Sequence, residues 1–466
     1  MALMTSSRGI LIFLTFSASL VLIADYVFVL PVFLSLVAIS YFYLKEEYIP
    51  QAFIIAALVL VGDLIPQGRA VVNYAGLIML FYYYVRLFGL SFADKSVFRE
   101  PMYLWVYGLF FVFVLAMLFS SYSFYGLTHF IRMVVFFTIV HLLYSFLKVH
   151  KRPQYYITSL LIVGGVLSFN VFYGFITSGF SLLADQVNAL QRISGLLENV
   201  NNLGTMLCIA IPFIFFRGYA SEDRRIKLAY YGLSCFVLVA LLLTNTRSAL
   251  LVVIVYIPFL LYYLNVKALK ILTVATLSVL LLVLFIEDIY QLFAFLFRLE
   301  RVLSGREVLW DTALNIINDR WLFGIGPGAF RLEAYNYLPV VIGSIGEETI
   351  RFQMDIIDVG HAHNFYLFYF SEMGVGGFIV ALMLPIVFLF VGSKNIKYYR
   401  GGNLGDYYTV LAIQGTGLGM FVRGFIEANN LASYGWLTGD LSFWILFMVN
   451  SYYYSSIPHV KAQPNT

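Results

Sequence analysis

The 466-residue chain is 61% hydrophobic and only 12% charged, and its net charge is +4. Soluble domains carry about 25% charged residues, so this composition excludes an ordinary soluble domain. It predicts an all-α, polytopic membrane protein, for which we expect a lipid bilayer and no nucleic acid as partner.

Apolar runs of roughly 20 residues predict the membrane spans. Counting such runs gives about 12–14 spans, near 10–24, 26–44, 51–66, 70–91, 102–120, 125–147, 155–177, 199–217, 226–243, 247–265, 269–295, 363–392, 405–427 and 436–455. The N-terminal segment has no convincing cleavage site, so we expect the first span to remain.

The longest hydrophilic segment divides the chain into N-terminal spans (1–298), a large loop (299–362) and C-terminal spans (363–466). The charges of this loop follow periodic patterns and not low-complexity runs. We therefore expect a folded extramembrane segment.

Lysine and arginine are distributed differently between the two sides of the predicted bundle. Every lysine falls on one set of alternate connections, which predicts that this side and both termini are cytoplasmic and that the large loop lies outside. The opposite side carries only arginine: Arg69, Arg192, Arg247, Arg298, Arg301, Arg306, Arg320, Arg331, Arg351 and Arg423. Arginine suits bidentate contact with phosphate, so the set favours a phosphate-bearing ligand on the outer face. For any single arginine, retention for packing is an equal alternative.

The first candidate site residues in chain order lie near outer ends of predicted spans. Arg132 falls within the outer half of a span, beside His129 and without an acidic neighbour in sequence, which favours a functional role. Asn199 and Asn201 follow Arg192 where an outer loop re-enters the membrane. Amides in this position can bind sugar hydroxyls or cap the next helix.

Two further arginines stand at predicted helix starts. Arg247 lies in a tight outer turn between Thr246 and Ser248, where it can bind a ligand or snorkel to the surface. Arg306 opens a predicted amphipathic helix over 305–319. A cation is disfavoured at a helix N-terminus, so we expect an anion to hold Arg306.

A glycine-rich segment, 324–328, follows that helix. It loosely resembles a phosphate-cradling loop, but Pro327 lacks the N–H donor that such a cradle uses. We therefore interpret the segment as a tight turn.

Two histidines precede the first span after the large loop. If His361 and His363 are both helical they point to different faces, so paired metal ligation is not expected. His363, beside Asn364 at the membrane boundary, is the candidate general base. Further along, Arg423 and Glu427 are four apart and can pair on a helix.

An ordered series of these motifs resembles the O-antigen ligase and polymerase superfamily of bacterial envelope glycan enzymes, over roughly residues 190–392. It comprises Arg192 with Asn199-Val200-Asn201-Asn202, Thr246-Arg247-Ser248, Gly305-Arg306-Glu307, the 323–328 segment, and His363-Asn364-Phe365 with Glu372-Met373-Gly374. Val200 is a departure, because the family often has proline there.

The resemblance implies a glycosyltransferase fold of the C type in the bacterial inner membrane. It implies a donor glycan on undecaprenyl diphosphate, used on the periplasmic face without nucleotide sugar, metal or other cofactor. Arg247 and Arg306 would then hold the diphosphate, with Arg192 as a third contact, and His363 would orient or deprotonate the acceptor hydroxyl. The substrate-binding candidates are Arg192, Asn199, Asn201, Arg132, His361 and Asn364.

Several functions remain open. A polymerase uses the next lipid-linked repeat unit as acceptor glycan, whereas a ligase uses lipid A–core. The count of about fourteen spans slightly favours a polymerase. Protein O-glycosylation is less favoured, since we expect no sizeable soluble C-terminal domain. A lipid-linked sugar transporter or flippase would show repeated halves, and none is evident. Other polysaccharide-assembly membrane proteins are possible partners.

Overall fold

The computed structural model describes residues 41–59, 66–89, 95–179, 193, 199–288, 290–291, 306–339 and 360–458. Within these ranges the secondary structure is helical and contains no strand, which confirms the all-α prediction. The α-helices are α1 (Ile49–Val59), α2 (Pro66–Phe88), α3 (Pro101–Leu118), α4 (Ser123–His150), α5 (Pro153–Thr177), α6 (Val200–Tyr219), α7 (Arg224–Leu243), α8 (Arg247–Leu264), α9 (Val266–Phe285), α10 (Arg306–Arg320), α11 (Phe330–Glu333), α12 (Phe365–Tyr399), α13 (Leu404–Arg423) and α14 (Leu437–Ser455).

Eight helices of the described part, α3 to α9 and α12, are long and apolar enough to cross a membrane. The chain is therefore a multi-pass membrane protein. Helices α13 and α14 occupy two other predicted spans but are more polar. Helix α14 lies inside the bundle, where Asp440, Asn450 and Ser451 are buried against neighbouring helices. A helix shielded from lipid tolerates such residues. The predicted spans at 10–24 and, up to residue 40, at 26–44 fall outside the described residues.

Basic and acidic side chains meet at one end of the bundle. Lys148 Nζ lies 2.7 Å from Glu100 Oε1, and Arg152 Nη1 lies 3.3 Å from Glu47 Oε2. Helices α6, α8, α10 and α12 all begin at the opposite end. The structure thus separates the lysine-rich connections from the predicted site residues, as the sequence pattern requires. Which end faces the cytoplasm stays a prediction, as do the three domain boundaries.

Helix α12 is interrupted at Gly374, whose φ of 62° and ψ of −157° are not helical. The chain after α10 packs into this interruption. The Ile325 N–H donates to the Ser371 carbonyl over 3.0 Å. A Cβ added at Gly374 would lie 2.2 Å from the Leu322 carbonyl oxygen, so only glycine permits this approach. Part of the large loop therefore packs closely against α12 and forms hydrogen bonds with its backbone.

Candidate active site

Glu427 lies at the centre of a cluster in the loop 424–436, which joins α13 to α14. Its side chain is fully buried. Oε2 accepts hydrogen bonds from Asn201 Nδ2 (3.0 Å) and Arg306 Nη2 (3.3 Å), and Oε1 lies 3.2 Å from His363 Nδ1. Burial alone would raise the pKa of Glu427, but the hydrogen bond and charge of His363, and then the charge of Arg423, hold it well below its usual range. An ionised carboxylate therefore joins three separate parts of the chain.

His363 is positioned by an unusual backbone conformation immediately before α12. Its φ of 47° is left-handed, and Asn364 after it caps the helix by accepting from the N–H groups of Tyr366 and Leu367. An ionised carboxylate only accepts hydrogen bonds, so the network assigns the Nδ1 proton of His363 to the bond with Glu427. In the neutral ring the lone pair is then on Nε2, which is the form that a general base needs.

The second histidine lies against the first. The ring centroids of His361 and His363 are 4.3 Å apart, and the His363 N–H donates to His361 Nδ1 over 3.1 Å. The expectation that the two rings diverge is wrong, because both residues precede the helix and the chain turns at His363. His361, His363 and Glu427 each offer a ligand atom within 4.8 Å of the others, a spacing that can hold a metal ion. The Arg306 guanidinium on the same carboxylate opposes a second cation there. Metal independence stays a prediction.

Arg306 is the first residue of α10 and is held by Glu427. Its side chain is 20% exposed. The positive end of the helix disfavours a cation, so the carboxylate offsets an otherwise unfavourable placement. The expected anion is thus part of the protein. A guanidinium has five N–H donors, and those not used by Glu427 can reach a second anion.

Arg423 does not form the predicted helical pair with Glu427, because α13 ends at Arg423. Its guanidinium donates instead to the Asn429 carbonyl (2.8 Å) and to Asn430 Oδ1 (3.1 Å). Arg423 is buried, and these bonds fix the path of the loop that presents Glu427.

Asn199 and Asn201 have different places in the structure. Asn199 Oδ1 accepts from the N–H groups of Asn201 (2.9 Å) and Asn202 (3.2 Å) at the start of α6. The capping alternative for Asn199 is therefore confirmed. The Asn201 amide instead reaches Glu427 and belongs to the cluster.

Arg247 begins α8 and is half-buried. The preceding Thr246 donates from Oγ1 to the Val200 carbonyl over 3.2 Å, so the start of α8 packs on the first turn of α6. Arg247 therefore lies beside the turn that carries Asn201. Arg192 falls outside the described residues, and its role stays a prediction.

The glycine-rich segment 324–328 forms the predicted tight turn, and three of its glycines have positive φ. It surrounds a carboxylate of the protein itself. The N–H groups of Gly328 and Phe330 donate to Glu372 over 2.7 and 2.9 Å, and the Tyr434 hydroxyl donates to the same carboxylate over 2.6 Å. Glu372 thus occupies the place where a phosphate would bind in a glycine loop.

Arg132 lies apart from the Glu427 cluster. Its Nε donates to the Tyr434 carbonyl (2.9 Å), and its Nη2 contacts His129 Nδ1 (2.9 Å) and the Ser433 carbonyl (3.4 Å). Arg132 therefore contacts the end of the loop 424–436 that precedes α14. The structure does not bring it into hydrogen-bond contact with Glu427.

Glu427 itself was not predicted as a site residue. A signal for it exists in the sequence, since it is the only acidic residue between Asp406 and Asp440. An isolated carboxylate in an apolar stretch near the membrane surface requires a partner.

One family of known proteins matches part of this chain. No match was found among curated proteins. The sequence profile of the O-antigen ligase family matches residues 232–382, a segment that contains Arg247, Arg306, His363 and the cradled Glu372 but not Glu427. Residues 232–382 of this multi-pass helical chain are therefore similar to the O-antigen ligase family.

Proposed function

We propose that this protein transfers a glycan from undecaprenyl diphosphate to an acceptor hydroxyl on the periplasmic face of the inner membrane. The observation that carries the proposal is the joining of His363 and Arg306 by one ionised carboxylate, Glu427. Displacement of a diphosphate by a hydroxyl needs a base and a stabilised leaving group. The cluster supplies both kinds of side chain, each in hydrogen-bond contact with Glu427.

The reaction is a displacement at the anomeric carbon of the donor sugar. The acceptor oxygen bonds to this carbon while its bond to the diphosphate oxygen breaks, and the electron pair of that bond leaves with the diphosphate. The acceptor proton passes to Nε2 of His363, and Glu427 stabilises the imidazolium that results. Arg306 and Arg247 bind the diphosphate and stabilise its developing charge, with Arg192 as a third contact.

The acceptor distinguishes the two main forms of the proposal. A polymerase is slightly favoured by the predicted number of spans, and a ligase agrees with the description of the matched family. A purified protein given the donor alone makes a ladder of lengthened chains if it is a polymerase. A ligase requires lipid A–core and attaches a glycan to it. A transporter forms no glycosidic bond with either acceptor.

The decisive experiment measures transfer from a purified lipid-linked donor in liposomes. Arg306→Lys keeps the charge but loses the planar fork, and we expect the rate to fall roughly 10²–10³-fold. Arg320→Lys is the matched control at the other end of α10, where Arg320 is exposed and its Nε lies 3.0 Å from Asp319 Oδ2. Near-normal transfer by Arg306→Lys would mean that Arg306 only anchors the helix.

The sidedness of the site needs a separate test. Cys208 is buried and Cys235 is exposed, so Cys235→Ser gives a suitable background for thiol labelling. Arg331→Cys, at an exposed position of α11, should react with a membrane-impermeant reagent while the inner membrane is intact. Lys397→Cys, near the opposite end of α12, should react only after the membrane is breached. The reverse pattern would contradict a periplasmic reaction.

A further inference from the structure

We propose that Arg132 binds the phosphate of a membrane lipid on the lipid-facing side of α4, at a place separate from the Glu427 cluster. This inference goes beyond the proposed transfer reaction and is independent of it. The ligand class is a phosphate-bearing lipid in the leaflet on the candidate-site side. It is argued from the contacts of Arg132, its depth along α4 and the side chains around it.

The guanidinium of Arg132 is fixed by hydrogen bonds, and the buried carboxylates of Asp440 and Glu372 attract it without an ion pair. Backbone carbonyls of Ser433 and Tyr434 and the ring of His129 accept its hydrogen bonds. Within the described part of the chain it forms no salt bridge, and its Nη1 makes no hydrogen bond. Arg132 is nevertheless exposed on the helix surface. A cation facing lipid is unfavourable unless an anion meets it there.

The depth of Arg132 suits a lipid headgroup. Helix α4 begins at Ser123, beside the large loop, since Ser120 Oγ donates to the Ile325 carbonyl. Arg132 is about 14 Å along the helix, but helical side chains point towards the N-terminus, and its contact with His129 places the guanidinium at about 9 Å. A helix of 28 residues extends about 6 Å beyond each edge of the hydrocarbon core. The charge therefore lies near that edge, just below the lipid phosphates.

The surface around Arg132 combines hydrogen-bond donors with apolar side chains, as a lipid headgroup and its chains require. Half-buried Tyr125 lies on the same helix face as Arg132, seven residues before it, and carries a hydroxyl. The hydroxyl of exposed Thr128, four residues before Arg132, already donates to the Tyr125 carbonyl over 2.7 Å. Phe124 and Ile131 beside them are 83% and 56% exposed. A phosphate can contact the polar group while an acyl or prenyl chain covers the apolar one.

A lipid phosphate bound at Arg132 would lie beside the loop 424–436. Arg132 donates to carbonyls of the loop 424–436, which also carries Glu427. A phosphate that accepts hydrogen bonds from the same guanidinium would therefore act on the end of this loop that is further along the chain from Glu427. Lipid composition would then influence the transfer rate without any change in the donor site.

The test measures lipid binding to the full-length purified protein by native mass spectrometry. Phosphatidylglycerol and a polyprenyl monophosphate are titrated separately, with diacylglycerol as the neutral lipid. We expect Arg132→Gln to weaken binding of one or both phosphate lipids about ten- to a hundred-fold, since a charged hydrogen bond is lost. Whichever lipid responds identifies the source of the phosphate. Arg86→Gln is the matched control, an exposed arginine near the opposite end of the bundle.

A second variant keeps the inference testable if Arg132→Gln misfolds. Tyr125→Phe removes one hydroxyl and should weaken the same lipid by about two- to tenfold. Equal affinities of wild type, Arg132→Gln and Arg86→Gln would overturn the proposal. It would also be overturned if Arg132→Gln weakened diacylglycerol and the phosphate lipids alike, because apolar packing alone would then account for binding.

Discussion

Glu427→Gln tests the centre of the candidate site with almost no change in side-chain volume. The substitution removes a buried negative charge that is joined to Arg306 and His363. It also replaces one oxygen, which only accepts hydrogen bonds, by an NH₂ group that donates them. The groups around the carboxylate are donors, so the amide meets at least one donor that it cannot accept from.

The size of the effect follows from these contacts. Asn201, Arg306, His363 and the Ala428 N–H approach the carboxylate within 3.0–3.3 Å. A hydrogen bond to a charged group contributes about 1.5–3 kcal/mol, and loss of one partner of a buried ion pair costs about 3–5 kcal/mol. The Arg306 side chain is 20% exposed, so solvent screens part of this. We expect a stability loss of about 2–3 kcal/mol.

The same substitution should also slow transfer. Without the carboxylate, no negative charge stabilises the imidazolium of His363, and we expect the rate to fall by at least about 10²-fold. The assay is transfer in liposomes, with donor affinity and thermal unfolding measured in parallel. Glu307→Gln, an exposed carboxylate next to Arg306, is the control. A Glu427→Gln protein with more than about a tenth of the rate would refute the reasoning.

The pH dependence of the unfolding temperature tests whether Glu427 is ionised in the folded protein. The pKa of Glu427 is held below the ordinary value of 4.5, so its ionisation stabilises the fold above that value. This contribution is lost as the pH falls through the lowered pKa. The unfolding temperature of the wild type should therefore drop more steeply below about pH 4 than that of Glu427→Gln. Parallel curves would mean that the carboxylate is not ionised in the fold.

The remaining predictions concern Arg247, the two histidines His361 and His363, and metal ions. Arg247→Lys should lose roughly 10²–10³-fold in transfer rate while the protein still inserts, because lysine lacks the bidentate fork; normal glycan length would contradict a role in diphosphate binding. His363→Ala should abolish transfer with donor affinity nearly intact, and His363→Gln should retain less than about a tenth of the rate, since glutamine cannot take the proton; a higher rate would make His363 a positioning residue. His361→Ala should lower the transfer rate less, because the His361 ring accepts the His363 N–H and does not take the acceptor proton. Chelation by EDTA should leave the rate unchanged, and a loss restored by a divalent metal would show that the two histidines and Glu427 bind one.

The elements that depend on local sequence were predictable. The apolar runs indicated six spans closely, from 102–120 to 247–265, and the pattern around Arg306 indicated α10 within a residue. Asn199 and Asn364 are helix caps, a role set by short polar side chains before an apolar run. Spans and helix caps are determined by residues that are neighbours in the sequence, so they can be predicted from it.

The centre of the site was not predictable, because it depends on contacts between distant residues. His363 and Glu427 are 64 residues apart, and Glu427 and Asn201 are 226 apart. The two histidine rings lie close together because His363 has a left-handed φ. A prediction that the segment is helical does not include this conformation. Sequence spacing identified the side chains that carry the chemistry but not the carboxylate that brings them together.

The carboxylate held by the glycine turn limits how this protein can be recombined with its relatives. Exchanging residues 306–339 alone with a related protein would make Glu372 depend on the backbone N–H groups of a foreign turn in place of those of Gly328 and Phe330. A buried carboxylate without donors is strongly destabilising, so chimeras whose turn has a different geometry should fail to accumulate whatever their specificity. The smallest exchangeable unit is therefore discontinuous: the loop, the interrupted start of α12 and Tyr434 should be transplanted together.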